Sequence, residues 1–440
     1  MPKSDLLERA GQELAEGNCA AARTLCDQCL ANEPQNARAW FLRGISFAQQ
    51  GDLTLAASDF EQAAALAEDV ASYHYNLGLA YRGLKRNEDA VTAYRQAIQL
   101  NPDFHEANTN LGNTLLDLEQ LEEAIAVLNR VAEQHPNDPI AHYNLGNALH
   151  EAHRYDDAIQ YLERAIQLDP NLTAARENLS RVLASVGRLD DALVVWKALR
   201  EHEPDNAMAR HMIASLAGED IPDRCDDEFV RETFDVTFAE SFERQLSGLQ
   251  YRGPELVAAA LENANLPERP LDVLDAGCGT GLAAPLLHTR AKWLVGVDLS
   301  PDMLEVARRR KVYDKLVEAE LTQFMSEHSE AYDLIVCCDT YCYFGDLTES
   351  LAAAYRCLRD DGVFVLSGER LTAEDVAKPG FILQHSGRYR HASDYVLTAA
   401  QESGFTIERT AEEILRHENG REVPGLVVTL GKEISGQVLS

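Results

Sequence analysis

Positive charge is scarce in this sequence. Its 440 residues carry 40 Lys and Arg against 72 Asp and Glu, a net charge of −32. Residues 1–217 hold 18 basic against 32 acidic side chains, and residues 218–440 hold 22 against 40, so neither half escapes the imbalance. Affinity for nucleic acid rests on neutralising phosphates with Lys and Arg, and such a surface excludes nucleic acid as a partner. Long apolar runs are also missing. None approaches the roughly 18–20 residues that a membrane-spanning helix needs, and Met1-Pro2-Lys3-Ser4-Asp5 lacks the basic-then-apolar profile of a secretory leader. A cytoplasmic protein with no membrane contact is expected. The nine cysteines are an odd number without the rhythm of a disulfide scaffold, which fits a reducing compartment.

What the N-terminal half does have is a period. Pro34, Pro102, Pro136, Pro170 and Pro204 are separated by 34 residues or twice that. Small residues keep the same step at Ala10, Gly44, Gly78, Gly112, Gly146 and Ser180, as does an alanine at 22, 56, 90, 124, 158 and 192. A bulky series follows at Cys26, Phe60, Tyr94, Leu128, Leu162 and Trp196. Small positions let two helices approach, the bulky one fills the gap left between them, and the proline ends one unit before the next begins. Over about 204 residues without an insertion the pattern resembles six tetratricopeptide repeats, starting at residues 3, 37, 71, 105, 139 and 173. Residues 207–217 read as a capping helix, so the all-α solenoid is expected over 3–217.

The resemblance implies a concave groove lined by the first helix of each repeat. Its sixth position holds Asn76, Asn110, Asn144 and Asn178 in four consecutive repeats. An amide both donates to and accepts from a peptide backbone, so this ladder suits a protein or peptide partner bound as an extended chain. Asparagine is also common at this position in such repeats. No run of Lys and Arg stands in the groove to clamp a C-terminal carboxylate.

Residues 218–228 are polar and unpatterned and read as a linker to a second domain at 229–440. There, short apolar runs alternate with helical stretches, with strands expected at 272–275, 293–298, 315–319, 332–338, 362–367, 406–409 and 425–430. Such alternation predicts an α/β fold, a seven-stranded, mostly parallel sheet covered on both faces. Ligands of such sheets bind at the carboxyl ends of the strands. The first strand runs there into Gly277-Cys278-Gly279-Thr280-Gly281, and Asp298 ends the next strand, where a carboxylate can accept from both hydroxyls of a ribose. The third glycine comes one residue too early for the G-x-G-x-x-G of dinucleotide enzymes.

The run Val273-Leu274-Asp275-Ala276-Gly277-Cys278-Gly279-Thr280-Gly281, with Val297-Asp298-Leu299-Ser300-Pro301-Asp302-Met303, resembles the class I S-adenosylmethionine-dependent methyltransferases and their Rossmann-like fold. The resemblance implies S-adenosylmethionine as cofactor. It also implies roles for Gly277, Gly279 and Gly281 beside its methionine part, Asp275 behind that turn, and Asp298 at the ribose. Leu299 or Met303 would lie against the adenine, Glu320 and Leu321 near its amino group, and Asp339 at the amino-acid part or the substrate. For Glu320 a plain helix cap is an equal alternative. The aromatic segment at Phe234 and Phe238, with Tyr251, resembles the lid of that site.

Substrate chemistry is sought in two loops, 339–346 and 385–391. His391 or His385 is a candidate general base and Tyr343 a further catalytic candidate, while Arg388 and Tyr389 are candidates for holding substrate, Arg388 through a carboxylate. Adjacent Cys337 and Cys338 point to opposite faces of one strand, so no metal site is expected. The combination is similar to a bacterial group of tetratricopeptide-repeat methyltransferases, and implies an enzyme whose repeats recruit a protein or peptide. Two alternatives stand beside it: a small-metabolite methyltransferase using its repeats only for assembly, and a scaffold whose second domain senses cofactor without turnover.

Overall fold

The structure, a computed structural model, describes residues 3–372, 380–418 and 420–433; the last seven residues of the expected second domain lie outside that range. The chain divides into two compact units, Met1–Val195 and Trp196–Ser440. Among the described residues no helix is long and apolar enough to cross a membrane.

The first unit is built of helix pairs. First helices run Lys3–Ala15, Ala37–Gln49, Ala71–Gly83, His105–Asp117, Pro139–Glu151 and Thr173–Ser185, beginning at the six positions expected from the period. Second helices run Cys19–Asn32, Leu53–Leu66, Asn87–Leu100, Leu121–Gln134, Tyr155–Leu168 and Leu189–His202, the last crossing the division between the units. The 34-residue step is a packing step. A Cβ built on Gly44 would stand 2.7 Å from the Phe60 ring, on Gly78 2.5 Å from Tyr94, on Gly112 2.5 Å from Leu128 and on Gly146 2.8 Å from Leu162. Each small residue thus receives the bulky side chain of its own repeat. A further series escapes the sequence reading: the residue ending the first helical turn-out is left-handed at 17, 51, 85, 119, 153 and 187. Glycine fills it at 17, 51 and 187, but Lys85, Glu119 and His153 hold φ of 57–60° in its place.

The second unit is a seven-stranded sheet with strands β1 (Leu271–Ala276), β2 (Ala291–Asp298), β3 (Lys315–Glu318), β4 (Tyr332–Cys338), β5 (Leu358–Glu369), β8 (Thr406–Glu418) and β9 (Arg421–Gly431); β6 (Phe381–Leu383) and β7 (Tyr389–His391) form a separate hairpin. The order is β3-β2-β1-β4-β5-β9-β8, parallel from β3 to β5, with β9 antiparallel to both of its neighbours. Alternation along the strands feeds two cores. Leu274, Ile335 and Phe364 face one and Val273, Leu334 and Val363 face the other, each covered by helices. All seven expected strands are present, but β8 and β9 run far beyond their expected ends, and the hairpin lies in what read as a polar loop.

Helix Ala207–Ala217, expected as a solenoid cap, is bound within the second unit: His211 Nε2 meets the Gly387 carbonyl at 2.8 Å and Ser215 Oγ donates to the Gln384 carbonyl at 2.6 Å. The polar stretch expected as a linker is also tied down. The Asp223 carbonyl accepts from the Gly345 and Asp346 amides at 2.7 and 2.8 Å, and the Cys225 amide donates to the Tyr343 carbonyl at 2.8 Å. Backbone hydrogen bonding, which composition does not reveal, turns this stretch into a fixed strap.

Candidate active site

A cavity of about 330 Å³ opens at the carboxyl ends of β1, β2 and β4. Of the residues expected at the cofactor, Asp275, Gly277, Gly279, Asp298, Leu299, Met303, Glu320, Leu321 and Asp339 all line it. Gly281 does not; it packs against the side chains of Tyr313 and Arg310 behind the turn. Gly277 and Gly279 hold φ of 73° and 53°, a region costly for residues with a Cβ. At Gly277 a Cβ would collide with Thr340, whereas at Gly279 it would meet only Met303 Cε, at 3.7 Å. The turn is therefore closed behind and open towards the cavity, a cradle for a ligand that approaches the backbone.

The carboxylates divide by what already holds them. Asp298 accepts from the Gly279 amide at 2.8 Å and the Ser300 amide at 2.9 Å, which fixes it across the turn; burial nonetheless raises its pKa. Burial pushes Asp275 up to about 7 although Tyr313 donates to it at 2.6 Å, and neighbouring Asp298 adds to the rise. Glu320 caps helix Leu321–Ser326, accepting from the Thr322 amide at 3.0 Å and the Gln323 amide at 2.7 Å, while still lining the cavity. The helix cap weighed for it in the sequence is present, on a side chain that also faces the cavity.

Asp339 is different. It stands directly after β4 with φ of 56°, a left-handed conformation that costs energy in any non-glycine residue. Its Oδ2 accepts from Arg416 at 2.9 Å, while its buried Oδ1 has no partner. Burial pushes its pKa up to about 6 against the pull of Arg416. Arg416, buried on β8, also pairs with Glu418 at 2.8 Å and with Glu369. Arg388 faces Glu369 at 2.8 Å and pairs with Glu418. Burial opposes the charge of Glu369, but Arg388 and Arg416 outweigh it and hold the carboxyl below its usual range.

The structure corrects the candidates for substrate chemistry. His391 does not line the cavity; it is buried against the Gly345 carbonyl at 3.1 Å, and burial drives its pKa down to about 4. His385 is exposed in the β6–β7 turn, away from the lining. Tyr389 is fully buried and donates to the Pro222 carbonyl at 2.7 Å, which makes it a fastening for the strap rather than a contact for substrate. For Tyr389 and His391 the reason is common. A loop dense in polar groups becomes a hairpin whose alternation sends Tyr389 and His391 into the protein and leaves only Arg388 at the cavity. Tyr343 does line it, and burial pushes its phenol well above the usual range, so it stays protonated.

Sequence reasoning missed Arg416, because nothing near it in the chain marks it. The aromatic segment was legible: Phe234, Phe238 and Phe242 line the cavity, with ring centroids 5.3–6.2 Å apart, and Phe234 meets Tyr343 at 5.4 Å. Arg310 links this aromatic helix to the glycine turn by donating to the Thr280 carbonyl at 2.6 Å and pairing with Glu243. Cys337 lies in one apolar core and Cys338 beside Tyr251, on the opposite side of β4. Among the described residues no group of three or more His, Cys, Asp or Glu is placed to hold a metal.

In the first unit the asparagine ladder is in register but partly committed. Asn76 donates to the Ser72 carbonyl at 2.8 Å and Asn110 to the Glu106 carbonyl at 2.9 Å, each one turn back on its own helix. Asn178 donates to Asn147 at 2.6 Å, and Asn144 is buried.

Comparison with known proteins decides the class. A profile described as a methyltransferase domain matches residues 274–366, and tetratricopeptide-repeat profiles match 7–71, 54–105, 75–139, 109–173 and 149–216. The chain carries tetratricopeptide repeats and a class I methyltransferase domain. S-adenosylmethionine is the cofactor of such a domain. Among similar curated proteins, a malonyl-[acyl-carrier protein] O-methyltransferase of Serratia marcescens is 30% identical over 168 residues, 37% of this chain and 62% of that protein. A trans-aconitate 2-methyltransferase of Enterobacter sp. is 46% identical over 68 residues, 14% of this chain and 25% of that protein. The chain thus spans less than two thirds of the length of these relatives. An S-adenosylmethionine-dependent methyltransferase structure from Mesorhizobium loti is 23% identical with a TM-score of 0.32, covering 40% of this chain and 96% of that one. The residues present in the methyltransferase domain fit the cofactor: an open cradle at Gly279, a fixed carboxylate at Asp298, and apolar Leu299 and Met303 beside it.

Proposed function

We propose that the chain is an S-adenosylmethionine-dependent methyltransferase whose repeats recruit the protein or peptide that carries the methyl acceptor. The observation that carries this reading is the glycine turn, closed behind by Thr340 and open above Gly279, with Asp298 fastened across it. Bound there, the cofactor supplies a methyl group on a sulfonium. The chain's own residues then have three tasks. Asp298 and the turn hold the donor, Phe234, Phe238 and Phe242 exclude water, and Asp339, Tyr343 and Arg388 hold the acceptor in line with the methyl group. The ladder at Asn76, Asn110, Asn144 and Asn178 supports the recruiting role most directly at Asn76, whose Oδ1 accepts from no described residue, while Asn110 and Asn178 engage both amide atoms within the unit.

Calorimetric titration of the full chain with S-adenosylmethionine tests the donor site. Asp298→Ala should weaken binding by about tenfold or more, because a charge-accepted hydrogen bond pair is lost; equal affinity removes the ribose assignment. Tritiated methyl transfer into lysate, separated by size, tests the acceptor: label in protein supports recruitment, and it should fall in Asn76→Ala/Asn110→Ala. A second reading, a small-molecule acceptor, is favoured by the trans-aconitate enzyme among the relatives and predicts label only at low molecular weight. Binding without any label would leave a cofactor-sensing scaffold.

A further inference from the structure

Resting on that reading of the site, we infer that the methyl acceptor is a carboxylate and the product a methyl ester. The wall after β4 presents two guanidiniums, Arg388 and Arg416, and one carboxylate, Asp339; the acids that balance the arginines, Glu369 and Glu418, do not line the cavity. Arg416 spends Nε, Nη1 and Nη2 on Glu418, Asp339 and Glu369. Arg388 gives Nη2 to Glu418, its Nε stands 2.8 Å from Glu369 without a hydrogen bond, and its Nη1 makes none among the described residues. The Tyr343 hydroxyl likewise has none, and the two side chains are near enough for the Arg388 charge to act on the phenol. Two uncommitted donors, one of them on a guanidinium braced by two carboxylates, make a seat for an anionic oxygen group.

Proton bookkeeping points the same way. A hydroxyl or ammonium acceptor must lose a proton to react; the two candidate histidines lie outside the cavity and Tyr343 keeps its proton, so among the groups beside Arg388 only Asp339 Oδ1 could take it. A carboxylate needs no base. One of its oxygens is held by Arg388 while the lone pair of the other forms the bond to the methyl carbon. The methyl–sulfur bond breaks with its electron pair staying on sulfur. An anion and a sulfonium become a neutral ester and a neutral thioether, and no proton moves. Annihilating two charges is favoured in apolar surroundings, and Phe234, Phe238 and Phe242 line this cavity.

Methyl esters are cleaved by mild alkali and release volatile methanol, whereas methylated nitrogen, carbon, sulfur and ether oxygen do not. Full-length protein with tritiated S-adenosylmethionine and the protein and metabolite fractions of a lysate should therefore yield alkali-volatile label. Arg388→Gln should lower that label by about 10- to 100-fold, and Arg388→Lys should restore part of it, with S-adenosylhomocysteine affinity by calorimetry unchanged in both, which also shows that the variants are folded. Alkali-stable label overturns the carboxylate and leaves the methyltransferase reading standing; an amine acceptor handing its proton to Asp339 Oδ1 is that outcome. Volatile label undiminished in Arg388→Gln also overturns it. Loss of cofactor binding, or no label of either kind from the wild-type chain, overturns both readings together.

Discussion

The two units solve the problem of bringing side chains together in opposite ways. In the repeat unit every decisive contact is local: Gly112 receives Leu128 and Gly146 receives Leu162, within one repeat. In the methyltransferase domain the decisive group is assembled from afar, since Arg416 lies 77 residues from Asp339 and 47 from Glu369. Periodic local packing makes each contact repeat in the sequence, where it can be read. Sheet topology makes partners of residues that share no spacing, and it buries charges that must then be paired.

That contrast can be broken most forcefully at Arg416. Arg416→Met leaves Asp339 without a cation beside Glu369 and Glu418, which keep Arg388, and should cost about 3–5 kcal/mol of stability. Urea denaturation checks this, and a cost under about 1 kcal/mol would mean that the network is not what holds the β8 edge to the site.

Burial of His391 comes next. Its folded pKa, about 4, lies below the usual 6.5, so the stability it contributes is fully present above pH 6.5 and is lost as pH falls through 4. Asp275 and Asp339, both raised, act in the opposite sense: they favour the fold at low pH and lose that contribution as pH rises through about 7 and about 6. Comparing wild type with His391→Gln isolates the histidine. The difference between their stabilities at pH 7 and pH 4 should be roughly 3 kcal/mol, and parallel pH profiles would place His391 in water.

In the solenoid the effects should be smaller and confined. Gly112→Val drives a side chain into Leu128 and should cost about 1–3 kcal/mol. Hydrogen exchange should quicken in the repeat at 105–134 and its neighbours only; a uniform loss of protection across both units would contradict the local character of the packing. The smallest change is a gain. Glu119 holds φ of 59° where three other repeats place glycine, and Glu119→Gly should add up to about 1 kcal/mol, visible as a raised unfolding midpoint.

Much of this protein was determined by its sequence alone. The 34-residue step located all six first helices at their starting residues, because helix-to-helix packing of small against large side chains has to recur with the repeat. The glycine turn and Asp298 were legible for a related reason, since they sit at strand ends that the alternation of apolar runs marks, whereas Glu320 and Asp339 were legible only through the family resemblance. Tertiary structure alone decided the rest. Tyr389 and His391 turned inwards when a polar loop proved to be a hairpin, the presumed linker was fixed by backbone hydrogen bonds at Asp223 and Cys225, and Arg416 reached Asp339 across two antiparallel strands. Those outcomes depend on register and on hydrogen bonds between distant segments, and neither leaves a period or a spacing in the chain.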